Sequence, residues 1–347
     1  MLPYVFLFVL VGVSLFISRA LGVIWFYYVA GLALAIFAGL RANIGVDYES
    51  YLETFSEIKT GTNLNDLEPM NMAIINFAHF IGAGDALIFS IYSIITLAGV
   101  LHFSKKFSSV KELSVFVFMM VSIFYLSTFN LVRQWAAISM MLFAITSLID
   151  RKYYRMAVFI VLANMFHLSA MMLVVIPFMT IRFSKRWVLI MAVTSGLLAE
   201  LLLLIIENLP FVHYLNEVFR SDRSGSLPLF SLYILFLILS SVYLDYFNNK
   251  KLISRRVVII LNMNLLSIFV LLIGFLIGID FQTAMRANAY FTIQLIILVP
   301  WLLGKFDRSS KVVLYPLCLL LLSAVYWNTI YFKGAEYMLT PFKFISL

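Results

Sequence analysis

Long apolar runs separated by short polar segments dominate the sequence. A bilayer core about 30 Å thick needs about 20 apolar residues for each crossing helix. Ten runs come close to that length: residues 2–18, 22–40, 86–103, 113–129, 132–149, 187–206, 229–247, 257–278, 287–304 and 312–331. The pattern therefore predicts an all-α polytopic membrane protein with about 10–12 transmembrane helices.

Two apolar segments do not fit a simple crossing. Residues 155–181 are too many for one straight helix and few for two, and a polar break runs from Asn164 to His167. We expect two short helices that meet at this break, an arrangement tolerated in a membrane only where the loose backbone faces protein or water. Residues 71–81 are too short to cross, and they predict a short helix at the membrane interface.

The domain organisation is predicted from composition rather than from length. The chain of 347 residues is 63% hydrophobic and 12% charged, with a mean hydropathy of +1.01. Soluble domains have about 45–50% apolar and about 25% charged residues. We therefore predict a single integral membrane domain over 1–347, with outer loops at 41–70 and 207–228. In a membrane protein, a net charge of +8 indicates basic residues that anchor the cytoplasmic loops next to membrane lipids. No nucleic-acid partner is therefore expected.

The basic residues indicate an orientation. Seventeen of the 25 Lys and Arg lie in one alternating set of loops, whereas 13 of the 17 Asp and Glu lie on the other side. Short cytoplasmic loops carry the excess of Lys and Arg, so the first set is expected inside. The alternation holds for every helix only if 155–181 crosses twice. This predicts twelve passes, two of them short, with both termini on the outer side.

Three arginines lie at helix ends on the acidic outer side, where positive charge is unusual: Arg41, Arg133 and Arg286. The planar guanidinium binds phosphate oxygens in pairs and stays charged. We therefore predict that these arginines bind a lipid-linked diphosphate. The alternative is that they pair with nearby Asp47, Glu49 or Asp280, or reach to lipid headgroups.

The first outer loop carries candidate acid–base and sugar-binding groups. Asp47 is a candidate general base for a sugar hydroxyl, and Tyr48 and Tyr51 are candidates for stacking on sugar rings. The alternative is an interfacial aromatic belt with a solvated acid. Glu68, next to Pro69, is a further catalytic candidate. An acid before a proline also suits an ordinary helix start.

Two further outer segments hold candidates. Gln134 follows Arg133 at a helix start, which is a favourable site for anions, and we predict that it contacts glycan. His167 at the polar break is a candidate base or phosphate ligand, or a packing residue. Tyr290 lies one helical turn after Arg286 and shares its face, and we predict that it also contacts glycan. Four scattered histidines and one cysteine show no metal-ligand spacing, so we predict no metal and no cofactor.

Taken in order, these motifs resemble the EpsG family, which belongs with Wzy-type polysaccharide polymerases. The resemblance rests on the following segments: Arg41…Gly45-Val46-Asp47-Tyr48…Tyr51, Glu68-Pro69, Arg133-Gln134, Phe166-His167-Leu168-Ser169-Ala170, Arg286…Tyr290 and Thr340-Pro341-Phe342. It implies a GT-C-like glycosyltransferase of the bacterial inner membrane that joins undecaprenyl-diphosphate-linked repeat units at the outer face. It also implies a flippase and a chain-length regulator as partners in the same pathway.

Alternative functions fit the same composition. A lipid-linked oligosaccharide flippase would need polar groups along a central cavity, whereas here the charges cluster near the outer face. A membrane O-acyltransferase would need a cytoplasmic path for its acyl donor. An O-antigen ligase resembles the polymerases closely but usually carries a larger outer loop.

Overall fold

The computed structural model describes residues 1–61, 67–181, 194, 238, 254–277 and 281–344. Over these residues the regular secondary structure is helical, and the one isolated β-bridge joins Arg41 to Phe344. The predicted runs 187–206 and 229–247 and the predicted loop 207–228 lie outside the described residues, except for Thr194 and Ile238.

Twelve α-helices are described, with two 3₁₀ helices at Leu126–Phe129 and Leu168–Thr180. The α-helices are α1 Leu2–Leu21, α2 Ile24–Gly39, α3 Tyr48–Thr60, α4 Pro69–Phe80, α5 Asp85–Phe107, α6 Lys111–Met120, α7 Val132–Ile149, α8 Tyr153–Phe166, α9 Arg255–Leu276, α10 Phe281–Thr292, α11 Leu295–Gly304 and α12 Arg308–Phe332.

Five of these helices are long and apolar enough to cross a bilayer alone: α1, α5, α7, α9 and α12. The prediction of an all-α polytopic membrane protein is therefore confirmed. The total of twelve passes stays a prediction, because part of the chain lies outside the described ranges.

The path of the chain differs from the apolar runs at two places. The run 113–129 is not one helix, since α6 ends at Met120 and a turn leads into the first 3₁₀ helix. The run 287–304 is divided between α10 and α11. The break predicted within 155–181 is present, because α8 ends at Phe166 and the second 3₁₀ helix begins at Leu168.

Local sequence explains where the helices of the first predicted outer loop begin and end. Helix α3, which hydropathy does not predict, ends at Thr60 and is followed by Gly61, whose φ of 75° is left-handed as at many helix ends. Helix α4 begins with Pro69 directly after Glu68. Proline suits a first helical position because the amide hydrogen it lacks would have no partner there. Helix α4, Pro69–Phe80, corresponds to the short helix predicted at 71–81.

The described chain divides into two compact units, Met1–Ile176 with Leu295–Leu347, and Pro177–Gln294. In the first unit, α7 packs against α5 and α8, and α5 packs against α2. Small residues allow these helices to approach closely. A Cβ added at Gly39 would lie 2.8 Å from Cα of Ser90, and one at Gly99 would lie 2.8 Å from Cα of Ser139. Such small-residue contacts are typical of helix packing in membranes.

The second unit contains α9 packed against α10. Polar side chains connect its segments, as expected where apolar packing alone gives little driving force. The Asn262 amide donates to the carbonyl oxygens of Met179 and Ile181 at 2.8 Å, and the Asn288 amide donates to Ser267 Oγ at 2.8 Å.

Candidate active site

Arg41 lies two residues after the end of α2 and is buried, with 1% of its surface exposed. Its guanidinium donates to the carbonyl oxygens of Ala38, Ile44 and Phe129. It also lies over the Phe89 ring, 4.4 Å from the centroid. Burial lowers the pKa of Arg41 to about 10, so the group stays charged at neutral pH. These contacts tie Arg41 to the protein backbone, so its predicted binding of diphosphate has no support from its geometry.

The loop after Arg41 is held against the turn that precedes α7. Gly45 has a φ of 101°, which side-chain-bearing residues rarely adopt. A Cβ at this position would lie 2.5 Å from Asn130 Oδ1 and 2.9 Å from the Phe129 carbonyl oxygen. The Gly45 amide donates to the Met338 carbonyl oxygen at 3.0 Å. Gly45 thus allows the loop to approach the start of α7 closely.

Helix α3 has one buried apolar face and one polar face. Tyr48, Phe55 and Ile58 are buried, and Tyr48 stacks on Phe89 with ring centroids 5.1 Å apart. Asp47, just before the helix, begins a series of polar residues spaced at three and four positions: Asp47, Ser50, Tyr51 and Thr54. This spacing places them on one side of a helix. Tyr48 lies on the buried face, so the structure gives no support to the prediction that it contacts glycan.

That polar face lines a cavity of about 130 Å³. The lining residues come from α3, α4, α5, α7 and the segments before α3 and α4: Asp47, Ser50, Tyr51, Thr54, Phe55, Leu67, Asn71, Ile75, Tyr92 and Arg133. The wall combines a carboxylate, a guanidinium, hydroxyls and aromatic rings. This mixture suits a ligand that carries both hydroxyl groups and negative charge.

Arg133 at the start of α7 forms an ion pair with Glu68, with Nη1 2.8 Å from Oε2. Both side chains are partly buried, Arg133 with 32% and Glu68 with 18% of the side chain exposed. The Tyr51 hydroxyl, on the same cavity wall as Arg133, donates to the Asn130 carbonyl oxygen at 2.9 Å. Burial raises the pKa of Tyr51. Arg133 is thus held at the cavity wall by its ion pair with Glu68.

His167 lies at the break between α8 and the second 3₁₀ helix. Its Nδ1 accepts from the backbone N–H of Ser169 at 3.2 Å. Since a backbone N–H only donates, Nδ1 carries no proton, and the neutral ring carries its proton on Nε2. Burial lowers the pKa of His167 below its ordinary value of 6.5, although the Glu68 carboxylate acts in the opposite direction. His167 is therefore a neutral ring whose Nε2–H is a hydrogen-bond donor.

Glu68 connects His167 to Arg133. Its Oε1 accepts from the backbone N–H of Leu168 at 3.2 Å, while its Oε2 faces Arg133. The structure thus brings together three of the predicted residues, Glu68, Arg133 and His167, and it places Asp47 and Tyr51 on the wall of the adjoining cavity.

The other predicted residues have different surroundings. Gln134 is buried, with 6% exposed. In the second unit Arg286 is exposed and Tyr290 is fully buried. The burial of Gln134 and Tyr290 gives no support to glycan contact. The predicted role of Arg286 stays a prediction.

Two polar residues of the site, Asn71 and Tyr92, are absent from the sequence predictions. Asn71 is buried on α4, and its Nδ2 donates to Glu68 Oε2 at 2.9 Å. Tyr92 donates from its hydroxyl to Asn71 Oδ1 at 2.7 Å. Asn71 follows Glu68 by three positions, the spacing of neighbours on one side of a helix, but Asn76 and His79 make the same helix polar at other positions and weaken that signal.

Comparison with known proteins identifies the family to which the chain belongs. The EpsG family model matches residues 24–344. The chain belongs to the EpsG family. This family of polysaccharide polymerase-like membrane proteins includes Wzy-type polymerases, and it implies a glycosyltransferase-like role. The matched range contains every predicted site residue of the chain. Neither the curated proteins nor the solved structures that were compared gave a match.

Proposed function

We propose that this EpsG-family protein polymerises a surface polysaccharide from undecaprenyl-diphosphate-linked repeat units. The growing glycan leaves its lipid diphosphate and is transferred to a sugar hydroxyl of the next lipid-linked unit. The observation that carries the proposal is the placement of Asp47 and Arg133 on the wall of one cavity. Glycosyl transfer from a diphosphate needs a base at the acceptor and a cation at the leaving group.

Arg133 is the proposed leaving-group ligand. As the bond between the anomeric carbon and the diphosphate oxygen breaks, negative charge develops on the diphosphate, and a fixed guanidinium stabilises it. Glu68 holds the guanidinium at the cavity wall before substrate arrives. The diphosphate then competes with Glu68 for Arg133, and His167 next to Glu68 supplies a neutral Nε2–H donor.

Asp47 is the proposed general base. As the acceptor oxygen bonds to the anomeric carbon, its proton passes to the Asp47 carboxylate, and undecaprenyl diphosphate leaves as the anion. His167 is less suited to this role, because its Nδ1 is occupied by Ser169 and its Nε2 carries the proton. Tyr51 gives the same cavity an aromatic wall for the sugar.

Charge supports an outer location for this cavity. Helix α5 runs from Asp85 to Lys105 and Lys106, and α7 runs from Val132 towards Arg151 and Lys152. The cavity lies at the end where α7 begins, and the basic residues lie at the other end of both helices. Under the positive-inside rule the basic end is cytoplasmic. The cavity then opens at the outer face, and the proposed site is that of a protein of the bacterial inner membrane.

The proposal is tested in a producing strain whose own copy of the gene is deleted. Arg133→Ala, Asp47→Asn and His167→Ala are each expressed there at levels verified by immunoblot. We expect short or single repeat units with the first two variants and shortened chains with the third. Matched controls are Arg151→Ala, at the other end of α7, and Glu49→Gln, exposed on α3. Long polysaccharide from all three site variants would overturn the site assignment.

A further inference from the structure

Asn71 makes three hydrogen bonds within the site, although none of its surface is exposed. Its Nδ2 donates to Glu68 Oε2 at 2.9 Å and to the Phe166 carbonyl oxygen at 2.8 Å, and its Oδ1 accepts from the Tyr92 hydroxyl at 2.7 Å. Every polar atom of the side chain therefore has a partner. Buried polar groups are generally hydrogen-bonded because an unpartnered one is costly.

The acceptors around the Asn71 side chain fix which way its amide faces. The carbonyl oxygen of Phe166 only accepts, so the Asn71 atom beside it is the nitrogen. The Tyr92 hydroxyl then donates to the oxygen on the other side of the amide. Tyr92 is itself buried, with 2% exposed, and its ring packs edge-on against Phe166. The amide thus has one orientation, in which its N–H groups point to Glu68 and to Phe166.

One of these acceptors belongs to Glu68, and the other belongs to the residue that precedes His167. Glu68 Oε2, which receives the Asn71 donor, is also the oxygen paired with Arg133. Phe166 directly precedes His167, and Leu168, which directly follows His167, donates to the other Glu68 oxygen. Asn71 and Glu68 therefore hold the backbone on both sides of His167.

We propose that Asn71, hydrogen-bonded by Tyr92, is a positioning residue that fixes the Glu68 carboxylate against Arg133 and fixes the turn that presents His167. Asn71 acts through these groups and takes no part in bond making. The inference rests on the proposed polymerase function. It extends that function to α4 and α5, neither of which carries the base or the leaving-group ligand.

The donor role and a packing role predict opposite orders for two substitutions. Asn71→Asp keeps the size of the side chain and an acceptor for Tyr92, but it removes both N–H donors and places a second carboxylate next to Glu68. Asn71→Ala also removes both donors but adds no charge. If Asn71 acts by donating to Glu68, the aspartate variant is the worse one, because like charges repel. If Asn71 only fills space, the alanine variant is the worse one.

The experiment measures kcat and KM for polymerisation by the purified full-length protein in liposomes with a lipid-linked repeat unit. We expect Asn71→Ala to lower kcat about tenfold, the effect of losing one well-placed hydrogen bond. We expect Asn71→Asp to lower kcat about a hundredfold, with KM within about threefold of wild type for both variants. Tyr92→Phe, which keeps the ring, is expected to lower kcat by a few-fold. The Tyr92→Phe variant tests the positioning role if the Asn71 variants do not fold.

Matched controls come from the same unit of the chain. The Asn164 amide donates only within its own helix in the described contacts, to the Ile160 carbonyl oxygen at 2.8 Å. The Tyr27 hydroxyl donates to the Leu101 carbonyl oxygen at 2.7 Å. Asn164→Ala, Asn164→Asp and Tyr27→Phe are expected to keep kcat within about twofold of wild type.

The possible failures are distinguishable. A wild-type protein without polymerising activity overturns the proposed function and this inference with it. An active wild type whose Asn71→Asp variant is as active as Asn71→Ala, or more active, overturns the inference alone. If neither Asn71 variant folds, a Tyr92→Phe variant with wild-type kcat also overturns the inference alone.

Discussion

Glu68 and Arg133 are 65 positions apart in sequence and form an ion pair of 2.8 Å at the wall of the cavity. The pair joins the start of α4 to the start of α7. A partly exposed pair of this kind adds little stability. Its value to the proposed polymerase is positional, because it holds a guanidinium in place that a diphosphate can later bind.

Arg133→Lys tests whether the planar fork of the side chain matters. Lysine keeps the charge but cannot form two parallel hydrogen bonds to phosphate oxygens. We expect polymerisation to fall at least tenfold with Arg133→Lys and about 10²–10³-fold with Arg133→Ala, measured as the initial rate in liposomes. Equal rates for wild type and the alanine variant would remove Arg133 from the proposed mechanism.

Arg41→Ala is expected to act on folding. Its loss leaves the carbonyl oxygens of Ala38, Ile44 and Phe129 without their donor in a buried region. We expect a loss of about 3 kcal/mol or more in stability, seen as a lower melting temperature of the detergent-solubilised protein. The rate per folded molecule should change much less than for Arg133→Ala. A variant of normal stability that has lost all activity would instead favour diphosphate binding by Arg41.

His167 is expected to make stability depend on pH. Its folded pKa lies below the ordinary 6.5 because of burial, so protonation favours the unfolded chain. Its stabilising contribution is present above pH 6.5 and is lost as the pH falls through the folded pKa. We expect the difference in melting temperature between wild type and His167→Gln to shrink from pH 7.5 to pH 5. A constant difference over that range would contradict a neutral His167.

Gly45→Ala tests the close approach of the loop to α7. The new Cβ would meet Asn130 and the Phe129 carbonyl oxygen, and alanine disfavours a φ of 101°. We expect a loss of about 1–3 kcal/mol in stability together with weaker polymerisation, since the loop also carries Asp47. Gly12→Ala on α1, where an added Cβ meets no atom within 4 Å, is the matched control. Equal melting temperatures for the two variants would refute the packing described for Gly45.

Sequence pattern predicted the membrane helices well where one apolar run makes one straight helix, as in α1, α5 and α7. It failed where the chain turns inside an apolar run, because hydropathy measures the length of a run and not its path. The end of α6 at Met120 and the division between α10 and α11 are examples. The sequence pattern also missed α3. Its apolar residues lie on one face and its polar residues on the other, so they form no long apolar run.

The candidate site was partly predictable for a related reason. Asp47, Glu68, Arg133 and His167 are polar residues at the ends of apolar runs, and such positions stand out in the sequence. Arg41 has the same appearance, but its burial among backbone carbonyls depends on contacts with the distant Phe129. Asn71 and Tyr92 gave no comparable signal, because their role depends on hydrogen bonds across three helices.

The most direct test of polymerisation uses wild-type protein in liposomes that already contain the undecaprenyl-diphosphate-linked repeat unit on the accessible leaflet. The account predicts a ladder of glycans longer than one unit on lipid diphosphate, with release of undecaprenyl diphosphate and without added nucleotide. The same assay with Asp47→Asn and Arg133→Ala should yield only the input unit. Movement of the lipid between leaflets without any longer glycan would contradict the polymerase and indicate a flippase.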